Sequence, residues 1–363
     1  MNMNKYLTLL ACSSLFFICA FSQQTKILTA EKHNEYGIVY SLPTTALQID
    51  VTAVKTSYSA GPYRQYAKKF LGSSKPIEED KAIWDITSIK VTPIGVKDDD
   101  TQYLFQLKAG ALTSVGVAEN GTLLSINTEP ENYSGSNGVK EKALSKILEK
   151  GGGVDDYLNY VDMYFVSAQN SMKQAEMIAS SLMDVRDAYL SLTRGTADNM
   201  PTDGRQLELM LNSLKEQEAA FNRAFNGSVT VEEFSRQFVY IPEKEGEEIL
   251  FRMSDFNGIV DKDDYSGAPV YIKTEILKEG ELPLDANGEV KKFPKDGVVY
   301  AIPGTANISI YSGDSNLFDK EMEFAQFGTT FALSPSLFTD KKAPSFARFN
   351  PTTGALIEIG KME

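Results

Sequence analysis

Apolar and polar positions alternate most regularly in residues 168–227, and this pattern predicts two long helices. In each half, apolar residues recur at steps of three and four, which places them on one stripe of an α-helix. Gly195 suits the end of the first helix, and Asp203 with Gln206 resembles a capping box at the start of the second. The short loop between them favours antiparallel neighbours. The two stripes are Ala175, Ile178, Leu182, Val185, Tyr189 and Leu192, then Leu207, Leu211, Leu214, Phe221 and Phe225.

This helical hairpin has two interpretations. It is either a protruding arm that docks a partner, or a helical pair packed on a sheet of its own chain. Met177, Leu190, Leu209 and Met210 add apolar surface beside the two stripes. An isolated arm needs little more than its two facing stripes, so this extra surface favours the second interpretation.

Before the hairpin, the chain carries short runs rich in β-branched and aromatic residues, which are typical of strands. Pro43 separates the first two runs, an acidic turn precedes the fourth, and Asn120-Gly121 predicts a hairpin between the last two. Gly61-Pro62 opens a short helix that ends at Gly72. The predicted strands are 36–42, 46–55, 83–94, 103–107, 115–118 and 123–126.

After the hairpin the strand pattern returns, with predicted strands at 248–252, 269–274, 298–302, 308–311 and 329–333 and a terminal hairpin over 347–359. Between the two strand-rich parts, residues 129–138 form a polar linker or surface loop, residues 139–150 show a weak helical pattern, and residues 157–166 fit either strand or helix. The spacing of the strands favours sandwich or barrel-like sheets.

The predicted fold class is therefore α+β, with two β-rich portions, sandwich or barrel-like, flanking a long antiparallel helical hairpin. The predicted divisions are a signal peptide at 1–22, an N-terminal β-rich domain with one short helix at 23–135, a linker and hairpin at 136–227, and a C-terminal β-rich domain at 228–363.

The first 22 residues read as an export signal. Lys5 precedes an apolar run, and Ala20-Phe21-Ser22 fits the small-residue rule for cleavage before Gln23. The alternative is a lipoprotein modified at Cys12, which would leave part of the apolar run on the mature chain. Cleavage before Gln23 removes both cysteines and so excludes disulfides and thiolate chemistry from the mature protein. The predicted location is the periplasm, the outer membrane surface or the exterior.

Charge narrows the partners further. The net charge is −13, and loss of the leader removes Lys5 and no acid, giving −14. A protein this acidic repels nucleic acid and, by its net charge, anionic membrane surfaces. No mature segment approaches the roughly 20 apolar residues of a membrane-spanning helix.

The sequence offers little chemistry. His33 is the only histidine and lies close to the cleavage site, which argues against a Ser-His-Asp triad or a histidine metal site. Gly151–Gly153 follows no nucleotide-binding pattern and reads as a hinge. We therefore assign no catalytic, cofactor-binding or metal-binding residue and expect no cofactor.

Two acidic segments remain as weaker alternatives for calcium. The run Asp98–Asp100 reads better as an acidic turn, because three adjacent carboxylates do not converge easily on one ion. The loop Asp261–Gly267 resembles part of a calcium loop, but Tyr265 and Ser266 stand where an oxygen ligand and a glycine belong.

Several short motifs in fixed order resemble those of the exported Bacteroidota proteins grouped as domain of unknown function 4831. They are Tyr40-Ser41-Leu42-Pro43-Thr44-Thr45, Gly61-Pro62-Tyr63 with Tyr66-Ala67-Lys68-Lys69-Phe70-Leu71-Gly72, Gln217-Glu218 and Ala325-Gln326-Phe327-Gly328. The resemblance implies a cell-envelope or secreted protein and carries over no catalytic residue, so these residues can equally be markers of the fold.

The leading functional hypothesis is a non-catalytic envelope protein that binds or scaffolds another protein or a glycan. The alternative is a carboxylate-dependent glycan hydrolase, which composition allows and no spacing supports. An acidic pair about 5–10 Å apart in a cleft would favour the hydrolase. A flat aromatic patch or an exposed sheet edge would favour binding.

Overall fold

The computed structural model describes residues 37–73, 75–106, 114–130, 143–294, 297–340 and 343–362, without the side chains of residues 99–101. The predicted mixed, strand-rich fold is confirmed. The strands are β1 (Gly37–Ser59), β2 (Lys81–Gln106), β3 (Val115–Val117), β4 (Leu123–Ile126), β5 (Ala143–Glu149), β6 (Ser228–Tyr240), β7 (Gly246–Ser254), β8 (Gly258–Val260), β9 (Ala268–Lys278), β10 (Val298–Ser312), β11 (Ser315–Leu333), β12 (Ser345–Phe349) and β13 (Leu356–Lys361).

The helices are α1 (Ala67–Leu71), α2 (Met163–Ser167), α3 (Ser171–Arg194) and α4 (Gly204–Asn226), with 3-10 turns at Arg64–Tyr66, Asp156–Tyr160 and Pro335–Leu337. Local chemistry sets the ends of the long pair. Asn170 caps α3 by accepting a hydrogen bond from the backbone N–H of Met172 at 2.8 Å. Gly195 ends α3 in the left-handed region, with φ of 70°. Asp203 caps α4 through the N–H of Arg205.

The strands are longer than their sequence signals predict. Pro43 does not divide two strands, because it lies inside β1 at a register shift of the β1–β2 pair. Proline has no N–H to donate to the neighbouring strand, and a bulge is a position where the pairing does not need that hydrogen bond. The acidic run Asp98–Asp100 likewise does not end a strand. It lies within β2, in the stretch between Lys97 and Gln102 where the same shift occurs.

The weak helical pattern over 139–150 is a wrong prediction where the structure describes it. Residues 143–149 form the edge strand β5, which pairs with β6 on one side. The segment 157–166, whose type the sequence left open, forms a 3-10 turn and the single-turn helix α2. Most of the predicted loop at 129–138 lies outside the described residues.

Within the described residues, the paired strands run antiparallel and form three sheets. The first has the order β2-β1-β6-β5, the second β11-β10-β9-β7-β8, and the third β13-β12-β4-β3. The first and second sheets face each other across a core contributed by both. Its buried members are Leu47, Ile49, Val51, Phe238, Phe251, Val270, Ile272, Ala306, Ile308, Ile310, Met322, Phe324 and Phe327.

A second core joins the third sheet to the remaining ends of the long strands. Tyr40 from β1 is fully buried there, and its hydroxyl donates to the carbonyl of Val299 at 3.0 Å and accepts from the N–H of Val299 at 2.7 Å. Ile126 from β4 and Ala347 from β12 lie in the same core. The predicted portions 23–135 and 228–363 thus share sheets, since β1 pairs with β6 and β4 pairs with β12.

The two long helices form a third cluster with α1, α2 and the turns beside them. Leu182, Phe221 and Phe225 are fully buried in it, against Tyr63 and Phe165. None of its described members lies in a strand. The second interpretation expected the two stripes to pack on a sheet, whereas in the structure they pack on each other and on the short helices. Leu214 of α4 still packs against this cluster. Further out, over residues 187–213, Leu192 is the only buried residue.

Along the described residues, no helix combines the length and apolar character needed to cross a membrane.

Candidate functional site

The five-stranded sheet has two different faces. Along β9 and β10, buried Val270, Ile272, Ile308 and Ile310 alternate with residues that point away from the core. Because strand side chains alternate between faces, the second set forms one continuous outer surface. It contains Tyr271, Lys273, Glu275, Asn307, Ser309 and Tyr311.

Strand register arranges this outer surface in rows. Glu247 on β7 pairs with Lys273 on β9, which pairs with Ser309 on β10, which pairs with Asp319 on β11. In the adjacent row, Tyr271 stands directly opposite Tyr311. A row of charged and hydroxyl side chains therefore lies next to a pair of aromatic rings.

Contacts within the rows fix these side chains. The two tyrosine rings stack with centroids 5.7 Å apart and an interplanar angle of 26°. The hydroxyl of Tyr311 donates to Oε2 of Glu247, and this hydrogen bond raises the pKa of Tyr311 above its ordinary value. The hydroxyl of Ser309 donates to Oδ2 of Asp319 at 2.8 Å.

These residues border a depression of about 440 Å³ that is open to solvent. Its floor is the row of Glu247, Lys273, Ser309 and Asp319, and its walls are Tyr311 and the β10–β11 turn, residues 313–316. The floor combines carboxylate acceptors, an ammonium donor and a hydroxyl, beside an aromatic wall. This combination can bind a polyhydroxyl ligand by many hydrogen bonds and one apolar contact.

The spacing of the acids bears on the hydrolase alternative. Glu247 and Asp319 lie at opposite ends of a four-strand row, so about 14 Å separates their Cα atoms, at roughly 4.8 Å per strand step. The criterion for retaining and inverting glycosidases, about 5–10 Å, is measured between the carboxyl groups and not between Cα atoms. Each of these carboxylates is also engaged by a neighbouring hydroxyl. Both carboxylates thus act as hydrogen-bond acceptors within the row.

The loop Asp261–Gly267 is organised by an arginine. The guanidinium of Arg252 donates to the carbonyl of Lys262 at 2.8 Å and to the carbonyl of Gly267 at 3.1 Å. Asp261 pairs with Arg236, and Asp264 accepts from the N–H of Ser266, which lowers the pKa of Asp264. The carbonyl oxygens of Lys262 and Gly267 are therefore already hydrogen-bonded to the Arg252 guanidinium. Across the described residues, no three histidine, cysteine or acidic side chains converge as metal ligands do.

The other sequence candidates fall elsewhere. His33, Cys12 and the leader lie outside the described residues, as do the side chains of Asp99 and Asp100. Tyr63 is buried in the helical cluster.

Two of the ordered motifs meet at one junction of the fold. The side chain of Gln326 accepts from the N–H of Thr45 at 3.0 Å and donates to the carbonyls of Thr45 and Pro242, at 2.9 and 3.0 Å. Nearby, a Cβ atom on Gly328 would lie 1.9 Å from the carbonyl oxygen of Ile302, so only glycine fits. These motif residues fasten β1 to β11.

The sequence did not predict that Glu247, Lys273, Ser309 and Asp319 form one row at the depression. A usable signal existed, because Tyr271 and Tyr311 fall on the polar phase of strands that were predicted as 269–274 and 308–311. Their pairing with each other, and with Glu247, depends on register across three strands, which alternation alone does not determine.

Comparison with known proteins gives a family. The family model described as Domain of unknown function (DUF4831) matches residues 36–357. No curated protein and no solved structure matches the chain.

Proposed function

We propose a non-catalytic glycan-binding function for this chain, which belongs to the DUF4831 family. The observation that carries the proposal is the depression on the outer face of the five-stranded sheet, where the Tyr271–Tyr311 stack adjoins the row from Glu247 to Asp319. The ligand is a glycan segment that packs an apolar sugar face against Tyr311 and hydrogen-bonds to the floor.

Charge limits the class of glycan. The depression is lined by three carboxylates, Glu247, Asp314 and Asp319, and one cation, Lys273. Because Lys273 also pairs with Glu275 at 3.2 Å, the local balance is negative. Anionic sugars would be repelled, so the ligand is a neutral or amine-bearing glycan.

We also propose that the protein is exported and acts in the cell envelope, as its resemblance to exported Bacteroidota proteins implies. The support is the pattern of residues 1–22, with Lys5, the apolar run and Ala20-Phe21-Ser22. N-terminal sequencing of the mature protein distinguishes cleavage before Gln23 from a lipid-modified Cys12.

A glycan array probed with the full mature chain tests the binding proposal, followed by calorimetry on the best ligand. Tyr311→Ala removes the aromatic wall and the partner of Glu247, and we expect at least a tenfold loss of affinity. Tyr265→Ala is the matched control, since this tyrosine is 86% exposed on a turn of the same sheet. Equal affinity of wild type and Tyr311→Ala would refute the site.

The same samples test the hydrolase alternative. A non-catalytic binder leaves the bound glycan intact, so no new reducing ends form during prolonged incubation. Release of reducing ends that Asp319→Asn abolishes would replace the binding proposal with the hydrolase one.

A further inference from the structure

The base of the helical hairpin carries apolar side chains that nothing in the described chain covers. Met163 is 83% exposed, Tyr164 69% and Val166 63%. These residues belong to α2, whose remaining aromatic residue, Phe165, is buried against Tyr157 with ring centroids 5.9 Å apart. Phe165 is buried while its neighbours are exposed, and these exposed apolar side chains are here called the α2 patch.

A basic stretch lies beside the α2 patch. Residues 51–77 contain no acidic residue, although the chain as a whole carries a net charge of −13. Arg64, Lys68 and Lys69 are exposed on the turn before α1 and on α1 itself. We call these three residues the α1 cations.

Contacts hold the two features at the same end of the helical cluster. The hydroxyls of Tyr66 and Ser171 lie 3.1 Å apart, and Nζ of Lys69 lies 3.9 Å from Sδ of Met172. These contacts attach α1 to the first turn of α3, which begins four residues after α2 ends. Met172 is itself 43% exposed and extends the apolar surface towards the α1 cations.

Neighbouring acids are engaged with other groups. Asp162 caps α2 through the N–H of Phe165 at 2.9 Å, and Glu176 pairs with Lys173 at 3.2 Å. Asp156 pairs with Arg223 at 2.8 Å. Of these acids, Glu176 and Asp156 are therefore balanced by paired cations.

We propose that this end of the helical cluster docks on an anionic lipid surface. Exposed apolar side chains such as methionine and valine can insert into the boundary between lipid headgroups and acyl chains. Tyrosine is favoured at the level of the headgroups. Cations beside such a patch attract anionic headgroups.

The net negative charge of the chain does not oppose this docking at physiological salt. Charges farther than about 8–10 Å are largely screened at that ionic strength. The α1 cations lie at the contact, within the stretch 51–77 that contains no acidic residue. The inference is independent of glycan binding, because it uses no residue of the depression.

Vesicle flotation with the full mature chain tests the proposal, using vesicles of phosphatidylglycerol with phosphatidylcholine and vesicles of phosphatidylcholine alone. We expect wild type to float with the anionic vesicles and to dissociate as salt rises. Met163→Ser/Val166→Ser and Lys68→Glu/Lys69→Glu should each reduce the bound fraction at least tenfold. All four side chains are exposed, so circular dichroism should show unchanged folding.

Two matched controls separate this surface from general stickiness. Leu209→Asp changes an exposed apolar residue of α4. Lys291→Glu/Lys292→Glu changes an exposed lysine pair outside the helical cluster. Both variants should bind the anionic vesicles as wild type does. The proposal would be overturned if wild type stayed unbound with anionic vesicles. It would also be overturned if the variants of the α2 patch and of the α1 cations floated like wild type. Retention on poly-glutamate resin without flotation would overturn it in favour of an acidic protein partner.

Discussion

At Gln326, one side chain satisfies backbone groups from two distant parts of the chain. Its amide bonds both backbone groups of Thr45, 281 residues away, and the carbonyl of Pro242. Gln326 and Thr45 belong to two of the ordered sequence motifs, but nothing in the sequence predicts that they form hydrogen bonds with each other. Local patterning reports neighbours along the chain, whereas this contact depends on how β1 and β11 cross.

We expect Gln326→Leu to lower the free energy of unfolding by about 3 kcal/mol. The leucine removes one partner from each of three partly buried backbone groups, and each loss costs about 1 kcal/mol, the lower end of the range for unsatisfied groups. Urea denaturation measures the change. Gln217→Leu is the control, because Gln217 bonds only to an exposed serine of its own helix and its loss should cost less than about 0.5 kcal/mol. Equal stability of the two variants would contradict the role of Gln326.

Burial of Tyr40 predicts a pH dependence. Desolvation raises the pKa of Tyr40 above its ordinary value of 10.0, so the folded protein keeps a proton that the unfolded chain releases. Stability from this group is complete below about pH 10 and falls by roughly 1.4 kcal/mol per pH unit above it. Urea denaturation at pH 8 and pH 11 should show this fall, and Tyr40→Phe should reduce the fall. A variant with the full wild-type fall would show that another group titrates.

Among the elements, the helices were easier to predict than the strands. The stripe around Leu182 and the caps at Gly195 and Asp203 give α3 and α4 strong local signals. The strand β1 continues through Pro43 because a bulge accommodates the proline. The strand β5 is exposed along its whole length, so its sequence lacks the alternation of apolar and polar residues that marks a strand with one buried face. Pairing with β6, which the sequence does not display, makes residues 143–149 a strand.

The helical cluster has its own core, which predicts that it can unfold separately. Leu182 is fully buried, and a carboxylate there costs several kcal/mol without a partner, so Leu182→Asp should melt α3 and α4. The sheet cores contain no residue of this cluster and should stay folded. Circular dichroism should show lost helix, and limited proteolysis should leave the strands resistant.

Leu209→Asp is the control for this experiment, since Leu209 is 63% exposed on the outer part of the hairpin. It should change stability by less than about 0.5 kcal/mol. Simultaneous loss of helix and strand signals in Leu182→Asp would show instead that the cluster and the sheets form one cooperative unit.

Across the whole molecule, the sequence predicted the inventory of elements better than their assembly. Strand-rich segments before and after the hairpin were recognised, but their division into two portions conceals that β1 pairs with β6 and β4 with β12. The depression exists only because this assembly aligns β7, β9, β10 and β11 in register. Its residues lie between 247 and 319 and share no local motif.

The most direct measurement of the central claim is hydrogen exchange of the full mature chain with and without the best glycan from the array. A ligand in the depression should slow exchange in β10, in the β10–β11 turn and at the start of β11, residues 307–319, and in β9 around Lys273. Exchange in the helical cluster should stay unchanged. Slowing confined to other regions, with residues 307–319 unaffected by a saturating ligand, would contradict the assignment of the binding site.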